Sequence, residues 1–338
     1  MAISESSGNN SISLLFVAWT KVSRRSEQLS RQLGADYYRL DRREGPALLT
    51  VFKLGVNFIK TLVKLFSAKP DVVFTFQAHP FVTTAALFYK FFSECKVVPD
   101  LHTAAYTDYD FFFARGLSLF LWQRSDLILV HNQESSEYLK AKFPVVKDKL
   151  FVLEDPLPEF GLESMEEKKP QPGAKQAVFI NRFASDEPVE EFLEAAVLHS
   201  EVMFSITGDT KLADFPINRY ERRNIIFTGF ISDESYVKLL SSADFIIALT
   251  KREMTLLSSG YEALSLAKPV IVSNTSTLRN YFGDAALYAG NGTAEIDVAL
   301  STIGEELENY AGKIHQLKEV KLRQWGEKKS RLLKLISD

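Results

Sequence analysis

Over the first 150 positions, apolar residues come in short β-branched runs separated by longer stretches in which they recur every three or four residues. Ser13 to Ala18 is the first run, and Arg24 to Gly34 carries helical spacing after it. The runs Val72–Phe76, Lys96–Pro99 and Leu127–Val130 are continuous rather than alternating, as expected of strands covered by helices on both faces. This alternation predicts a doubly wound parallel sheet. After Phe151–Leu153 the pattern is broken by Pro156, Pro158, Gly161, Pro170, Pro172 and Gly173, which predicts a linker. It restarts at Ala177–Ile180 and continues through Val202–Thr207, Ile225–Thr228, Phe245–Leu249, Pro269–Val272 and Ala286–Tyr288. From Thr293 to Ile336 only helical spacing remains, with Leu300, Ile303, Leu307, Tyr310, Ile314 and Leu317 on one face. The expected organisation is a disordered tail at 1–10, a Rossmann-like domain at 11–158, a linker at 159–176, a second Rossmann-like domain at 177–315, and a C-terminal helix at 316–338.

Composition narrows the class. With 338 residues, 46% apolar and 25% charged, the chain can fill two cores. Cys95 is the single cysteine, so neither an intramolecular disulfide nor a cysteine-based zinc site can form, and a reducing cytoplasmic setting is expected. The opening MAISESSGNN lacks the apolar core of a signal peptide, and no run reaches the roughly 18 apolar residues of a membrane span. A net charge of −3 and a pI near 6.1, without any recognisable module, argue against nucleic acid. Residues 1–70 nevertheless hold eleven Lys and Arg against five Asp and Glu. Peripheral contact with an anionic membrane at its inner face is one reading of that excess, and solvated helix faces are the other.

In open parallel sheets, ligands bind outside the carboxyl ends of the strands. In the second domain Asn181-Arg182, Thr207-Gly208-Asp209, Thr228-Gly229-Phe230 and Thr250-Lys251-Arg252-Glu253 each follow a strand. Ser258 and Ser259 are expected to cap a helix beginning near Gly260, whose amides suit a diphosphate. Glu262 falls in its first turn, where it can accept from ribose hydroxyls or simply complement the helix dipole.

The ordered series Asn181-Arg182-Phe183, Thr207-Gly208, Phe227-Thr228-Gly229-Phe230, Ala243-Asp244, Glu253 and Glu262-Ala-Leu-Ser-Leu-Ala-Lys-Pro-Val-Ile271 resembles the C-terminal domain of retaining GT-B glycosyltransferases, glycosyl transferases group 1 (glycosyltransferase family 4-like). The similarity covers about residues 177–290 by motif, and the first half by layout. The resemblance implies an α/β fold of two Rossmann-like domains facing across a cleft, the C-terminal helix returning towards the first. It implies transfer of a sugar from a nucleotide-diphosphate donor, UDP-sugar favoured, to a saccharide or lipid-linked acceptor in glycan synthesis, without metal or other cofactor. Arg182 would meet the diphosphate, Glu262 the ribose, and Glu253 the sugar. Gly208 would allow close backbone approach, and the backbone around Thr228, Gly229 and Phe230 would contact the base. His102 matches the histidine that the family places beside the sugar. Two departures stand out. Where the family has a lysine five residues after the arginine, this chain has Glu187, and Lys251 or Arg252 is the expected substitute. The family separates its two glutamates by seven residues, and here eight lie between Glu253 and Glu262. These departures keep open a catalytically degenerate binding or scaffold module, and a nucleotide-sugar epimerase is a further reading.

Elsewhere, Lys21, Arg24 and Arg25 follow the first strand and suit an anionic acceptor or plain solvent, and His79 follows the strand Val72–Phe76 on the acceptor side. His131 closes a strand beside Asn132; His199 and His315 read as helical surface residues. Asp108-Tyr-Asp110 has metal-motif spacing but reads as a solvated loop, and Asp155 as an ordinary linker carboxylate. The aromatics around Phe88 to Phe92 read mostly as core, with a remainder that would face a membrane beside the basic helix Val51–Lys64.

Overall fold

The computed structural model describes residues 12–21, 23–41, 47–77, 80–107, 112–161 and 174–338. The chain divides into two compact units, Met1–Pro156 with Trp325–Asp338, and Leu157–Gln324. The first break thus falls two residues before the expected 158. The second differs more: a single helix runs from Leu307 to Ser337, with no interruption at 315, because its apolar spacing serves both cores in turn. Of the expected linker, 162–173 lies outside the described residues, as do the tail at 1–10, His79, Asp108 and Asp110.

In the first unit β1 (Leu14–Trp19), α1 (Arg24–Leu33), β2 (Asp36–Leu40), α2 (Ala47–Ala68), β3 (Val72–Gln77) and α3 (Pro80–Lys90) follow one another. Then come β4 (Lys96–Leu101), α4 (Ala104–Thr107), α5 (Phe112–Arg124), β5 (Ile128–Val130), α6 (Gln133–Lys142) and β6 (Leu150–Val152). All pairings are parallel, in the order β2-β1-β3-β4-β5-β6. The continuous apolar strands are buried on both faces: Phe16 and Phe74 stack on one side with Leu332 and Ile336 of the C-terminal helix, and Val17 and Val73 pack with Leu65 and Tyr89 on the other. α1 has a readable start and stop: Ser23 accepts from the Ser26 amide, and Gly34 at φ 70° closes the helix in the left-handed conformation.

The second unit contains β7 (Lys175–Phe179), α7 (Val189–Ala196), β8 (Val202–Thr207), β9 (Ile225–Gly229), α8 (Asp233–Ser242) and β10 (Phe245–Ala248). It continues with α9 (Ser258–Ser265), β11 (Val270–Ser273), α10 (Ser276–Phe282), β12 (Leu287–Ala289), α11 (Thr293–Glu305) and α12 (Leu307–Ser337). Its strands, again all parallel, lie in the order β12-β11-β10-β7-β8-β9. The chain first builds outward from β7 to β9, then returns to pair β10 on the other side of β7. That reversal makes the carboxyl ends of β7 and β10 the switch point of the sheet, where connections leave in opposite directions and a crevice opens.

Candidate functional site

The two loops at this switch point carry Asn181 and Arg182 after β7, and Thr250 to Glu253 after β10. After β7, Asn181 is buried, and its side-chain oxygen accepts from the Phe183 amide at 3.0 Å. That leaves its Nδ2 buried with no hydrogen-bond partner among the described residues. A buried donor without an acceptor costs about 1–3 kcal/mol, so one persisting here marks a place where an acceptor from outside would be rewarded. The adjoining Phe183 adopts φ 56°, and Met254 in the loop after β10 adopts φ 54°. Left-handed backbone at non-glycine residues costs on the order of 1 kcal/mol each and concentrates where a loop must be held in one shape.

Gly208, directly after β8, has φ 102°, and a Cβ there would come within 2.7 Å of the Asn181 carbonyl oxygen. Only glycine fits between these loops, which brings β8's end against Asn181 and Arg182. Thr228, Gly229 and Phe230 close the neighbouring β9; Thr228 hydrogen-bonds back to Ile206 O, while Phe230 is 85% exposed.

Arg182 projects into solvent, its side chain 73% exposed, with Nε 3.5 Å from Glu187 Oε1. Glu187 itself is buried, and its Oε2 accepts from the amides of Arg182 at 2.8 Å and Ala184 at 3.0 Å. Sequence reasoning treated Glu187 only as the loss of a lysine. Here the carboxylate is the internal brace of the loop that presents Arg182. Lys251 and Arg252, the expected substitutes for that lysine, lie on the loop after β10 and are exposed. Each has an acidic neighbour: Lys251 Nζ is 2.9 Å from Glu191, and Arg252 Nε is 3.1 Å from Asp186. The Lys251 amide also donates to Asp186 O, tying the two loops together.

The expected cap of the next helix is corrected. α9 begins at Ser258, not near Gly260; its N-cap is Leu257, and neither Ser258 nor Ser259 caps it with a side chain. Apolar Leu257 has no acceptor to offer, so the helix start keeps its donor character and positive dipole end. Gly260 serves packing: a Cβ there would sit 3.2 Å from the Phe282 ring. Glu262 is buried, and the Tyr236 hydroxyl donates to its Oε2 at 2.6 Å. Tyr236, on α8, had no signal in the sequence. Glu253 is exposed and accepts from the Ser276 hydroxyl at 3.3 Å.

The first unit gathers a cluster that the sequence concealed. Arg25, read as an acceptor-facing cation or exposed charge, is buried. Its Nε and Nη2 bind both oxygens of Asp100 at 2.7–3.1 Å, Nη1 pairs with Asp155, and Nη2 also donates to Leu153 O at 3.0 Å. Burial opposes the charge, but the two carboxylates outweigh it and hold the guanidinium more firmly protonated than a free arginine. Asp155 is therefore no ordinary linker carboxylate; burial raises its pKa, with Arg25 opposing. His131 lies 3.9 Å from Asp100, with its ring 5.8 Å from that of His102. Its pKa is held well below 6.5, first by burial and then by the charges of Arg25 and His102, so it is neutral near pH 7. His102 stands at the end of β4, exposed, its ring edge-on to Phe76. Lys21 and Arg24 are exposed beside the start of α1. His199 is not a surface histidine: it is largely buried, bonded to Glu201 at 3.1 Å and Asp297 at 2.8 Å.

Residues 162–298 match the family described as glycosyl transferases group 1, which the motif series of the second domain resembles. No curated protein matches the chain. Among solved structures, HepE of Anabaena in complex with UDP is 12% identical, with 96% of this chain and 100% of that one covered and a TM-score of 0.71. Sucrose-phosphate synthase from Thermosynechococcus elongatus is 11% identical over 96% and 98% of the chains, with a TM-score of 0.70. A glycosyltransferase from Rickettsia africae is 12% identical over 96% and 98%, with a TM-score of 0.67. The two parallel six-stranded sheets thus have the GT-B fold.

Proposed function

We propose that the chain transfers a sugar from a nucleotide-diphosphate donor, with UDP-sugar the favoured donor and a saccharide or lipid-linked molecule the acceptor. The observation that carries this reading is the concentration of anion donors at the switch point of the second unit. Arg182, Lys251 and Arg252 lie on the two loops that meet there, with the buried Nδ2 of Asn181 and the helix start at Leu257 that no side chain caps. In this reading the diphosphate lies at the start of α9 and draws Arg182 away from Glu187. The cations meet charge that develops on the leaving diphosphate, where one fixed donor is worth about 2.7–4 kcal/mol. Glu262, held by Tyr236, accepts from the ribose hydroxyls, and Glu253 contacts the sugar. Gly208 leaves room for the nucleotide, and the backbone from Thr228 to Phe230 meets the base. For His102, at the end of β4, the family resemblance implies a hydrogen bond to the sugar. The family resemblance supports retention at the anomeric carbon, with a diphosphate oxygen taking the proton of the acceptor hydroxyl as the glycosidic bond to the donor breaks.

One observation favours a binding module instead: the site's cations are already matched by Glu187, Glu191 and Asp186. Thermal-shift screening against UDP-, GDP- and ADP-sugars, followed by product analysis, separates the readings. Stabilisation with sugar release that Arg182→Ala abolishes supports the transferase. Binding without turnover on a panel of saccharide and lipid-linked acceptors supports the module, and isomerised donor supports an epimerase.

A further inference from the structure

We propose that the face built by α2 and the end of α3 in the first unit seats the protein on an anionic lipid bilayer. α2 is apolar on two sides. Leu54, Phe58, Leu62 and Leu65 pack into the core of the unit. On the other side Phe52, Ile59, Val63 and Phe66 recur at spacings of seven, four and three, and are 68%, 63%, 64% and 45% exposed. A helix that needed only to cover a sheet would be polar there. The stripe continues onto α3 at Phe88 and the turn after it at Phe91 and Phe92, which are 48%, 84% and 60% exposed. Ring contacts join the helices without a break, Phe58 to Phe88 at 6.2 Å, Phe88 to Phe92 at 5.3 Å and Phe92 to Phe66 at 6.1 Å. A contiguous apolar surface of this kind marks an interaction site.

Charge identifies what covers it. α2 contains Lys53, Lys60 and Lys64 and not one Asp or Glu, although the whole chain has 43 acidic against 40 basic residues; α3 adds only Lys90, which is paired with Asp126 at 2.6 Å. Lysines interleaved with exposed aromatics suit a phospholipid surface, where the ring enters the acyl boundary and the ammonium reaches the phosphates. Protein interfaces, by contrast, are depleted in lysine. Among the described residues no helix is long and apolar enough to cross a membrane, so this face lies on the bilayer. The inference is independent of the transfer reading, because it concerns a different surface and is tested without a sugar nucleotide.

The test is flotation of the full chain with phosphatidylcholine vesicles, with and without phosphatidylglycerol. The protein is expected to float with the anionic vesicles, less so as salt is raised, and to stay behind with neutral ones. Each lysine near such a surface is worth about fivefold in partitioning, so Lys53→Glu with Lys60→Glu should cost about 25-fold or more. Ile59→Ser with Val63→Ser, both exposed, should cost about tenfold while leaving the circular dichroism spectrum and melting temperature unchanged. Three results would overturn the proposal: no flotation with anionic vesicles, flotation of the lysine-reversed variant equal to wild type, or a wild-type dimer that the Ile59 and Val63 substitutions make monomeric. The last would assign the face to a second copy of the chain.

Discussion

Replacing Glu187 by glutamine should tighten the binding of UDP. In the loop after β7 this carboxylate does two things that oppose each other for an anionic ligand. Its Oε2 accepts from the amides of Arg182 and Ala184, fixing the loop, and its Oε1 lies 3.5 Å from Arg182 Nε. Both amides bond to the same oxygen, so the single carbonyl oxygen of glutamine can keep them, at roughly half the strength of a charged acceptor. The Arg182 side chain is 73% exposed, so its contact with Glu187 is screened and worth about 0–1 kcal/mol. Removing the competing charge should therefore lower the Kd for UDP by up to about fivefold, read by isothermal titration calorimetry. Alanine at 187 should act in the opposite direction. It strips two part-buried amides of their acceptor at about 1–3 kcal/mol each, which disorganises the loop, lowers the melting temperature and weakens UDP. If glutamine instead weakened UDP tenfold with its melting temperature unchanged, the carboxylate would be part of the nucleotide site and the competition argument would be refuted.

Four further outcomes follow from the same geometry. Gly208→Ala, whose Cβ would meet the Asn181 carbonyl at 2.7 Å with φ at 102°, should destabilise the second unit by about 1–3 kcal/mol in urea and abolish UDP-induced stabilisation. Tyr236→Phe removes one donor from the buried Glu262 carboxylate, and should weaken UDP several-fold but 2′,3′-dideoxyuridine diphosphate, which lacks the ribose hydroxyls, hardly at all. Arg25→Ala strands the buried Asp100 charge and should cost about 3–5 kcal/mol in urea unfolding, far more than the exposed Arg24→Ala. On acidification, His131 binds a proton in the unfolded chain near pH 6.5 but only well below that when folded, so stability present at neutral pH is lost as pH falls below about 6.5, by up to about 1.4 kcal/mol per pH unit. Asp155, raised by burial, works oppositely: its contribution is fully present below about 3.8 and is lost as pH rises through its folded value. Urea curves between pH 7 and 5.5 should show the loss, and His131→Gln should flatten it.

The parallel sheets were legible because strands covered on both faces, such as Val72–Gln77, must be apolar throughout. β2 escaped because Asp36-Tyr-Tyr-Arg-Leu40 lies at the sheet edge, where one neighbour suffices and charged side chains reach solvent. The placement of Arg182, Gly208, Lys251 and Arg252 was legible for a topological reason: residues directly after parallel strands share one edge wherever those strands fall in the sheet order. The Arg25, Asp100 and Asp155 cluster was not, because its members stand 75 and 130 positions apart and each alone looks like a solvated charge. Distance in sequence likewise hid Tyr236, which touches Glu262 across 26 positions. Glu187 was misjudged for a subtler cause. A motif comparison registers the lost cation, but not that a shorter acidic side chain can turn inward and satisfy the backbone of its own loop.

The most direct measurement is a crystal structure of the chain with UDP. The account predicts diphosphate density at the amino end of α9, against the Ser258 and Ser259 amides, with Arg182 turned from Glu187 towards a phosphate oxygen and Asn181 Nδ2 bonded to the nucleotide. UDP seated on the first unit alone, or on the second unit away from the carboxyl ends of β7 and β10, would contradict it.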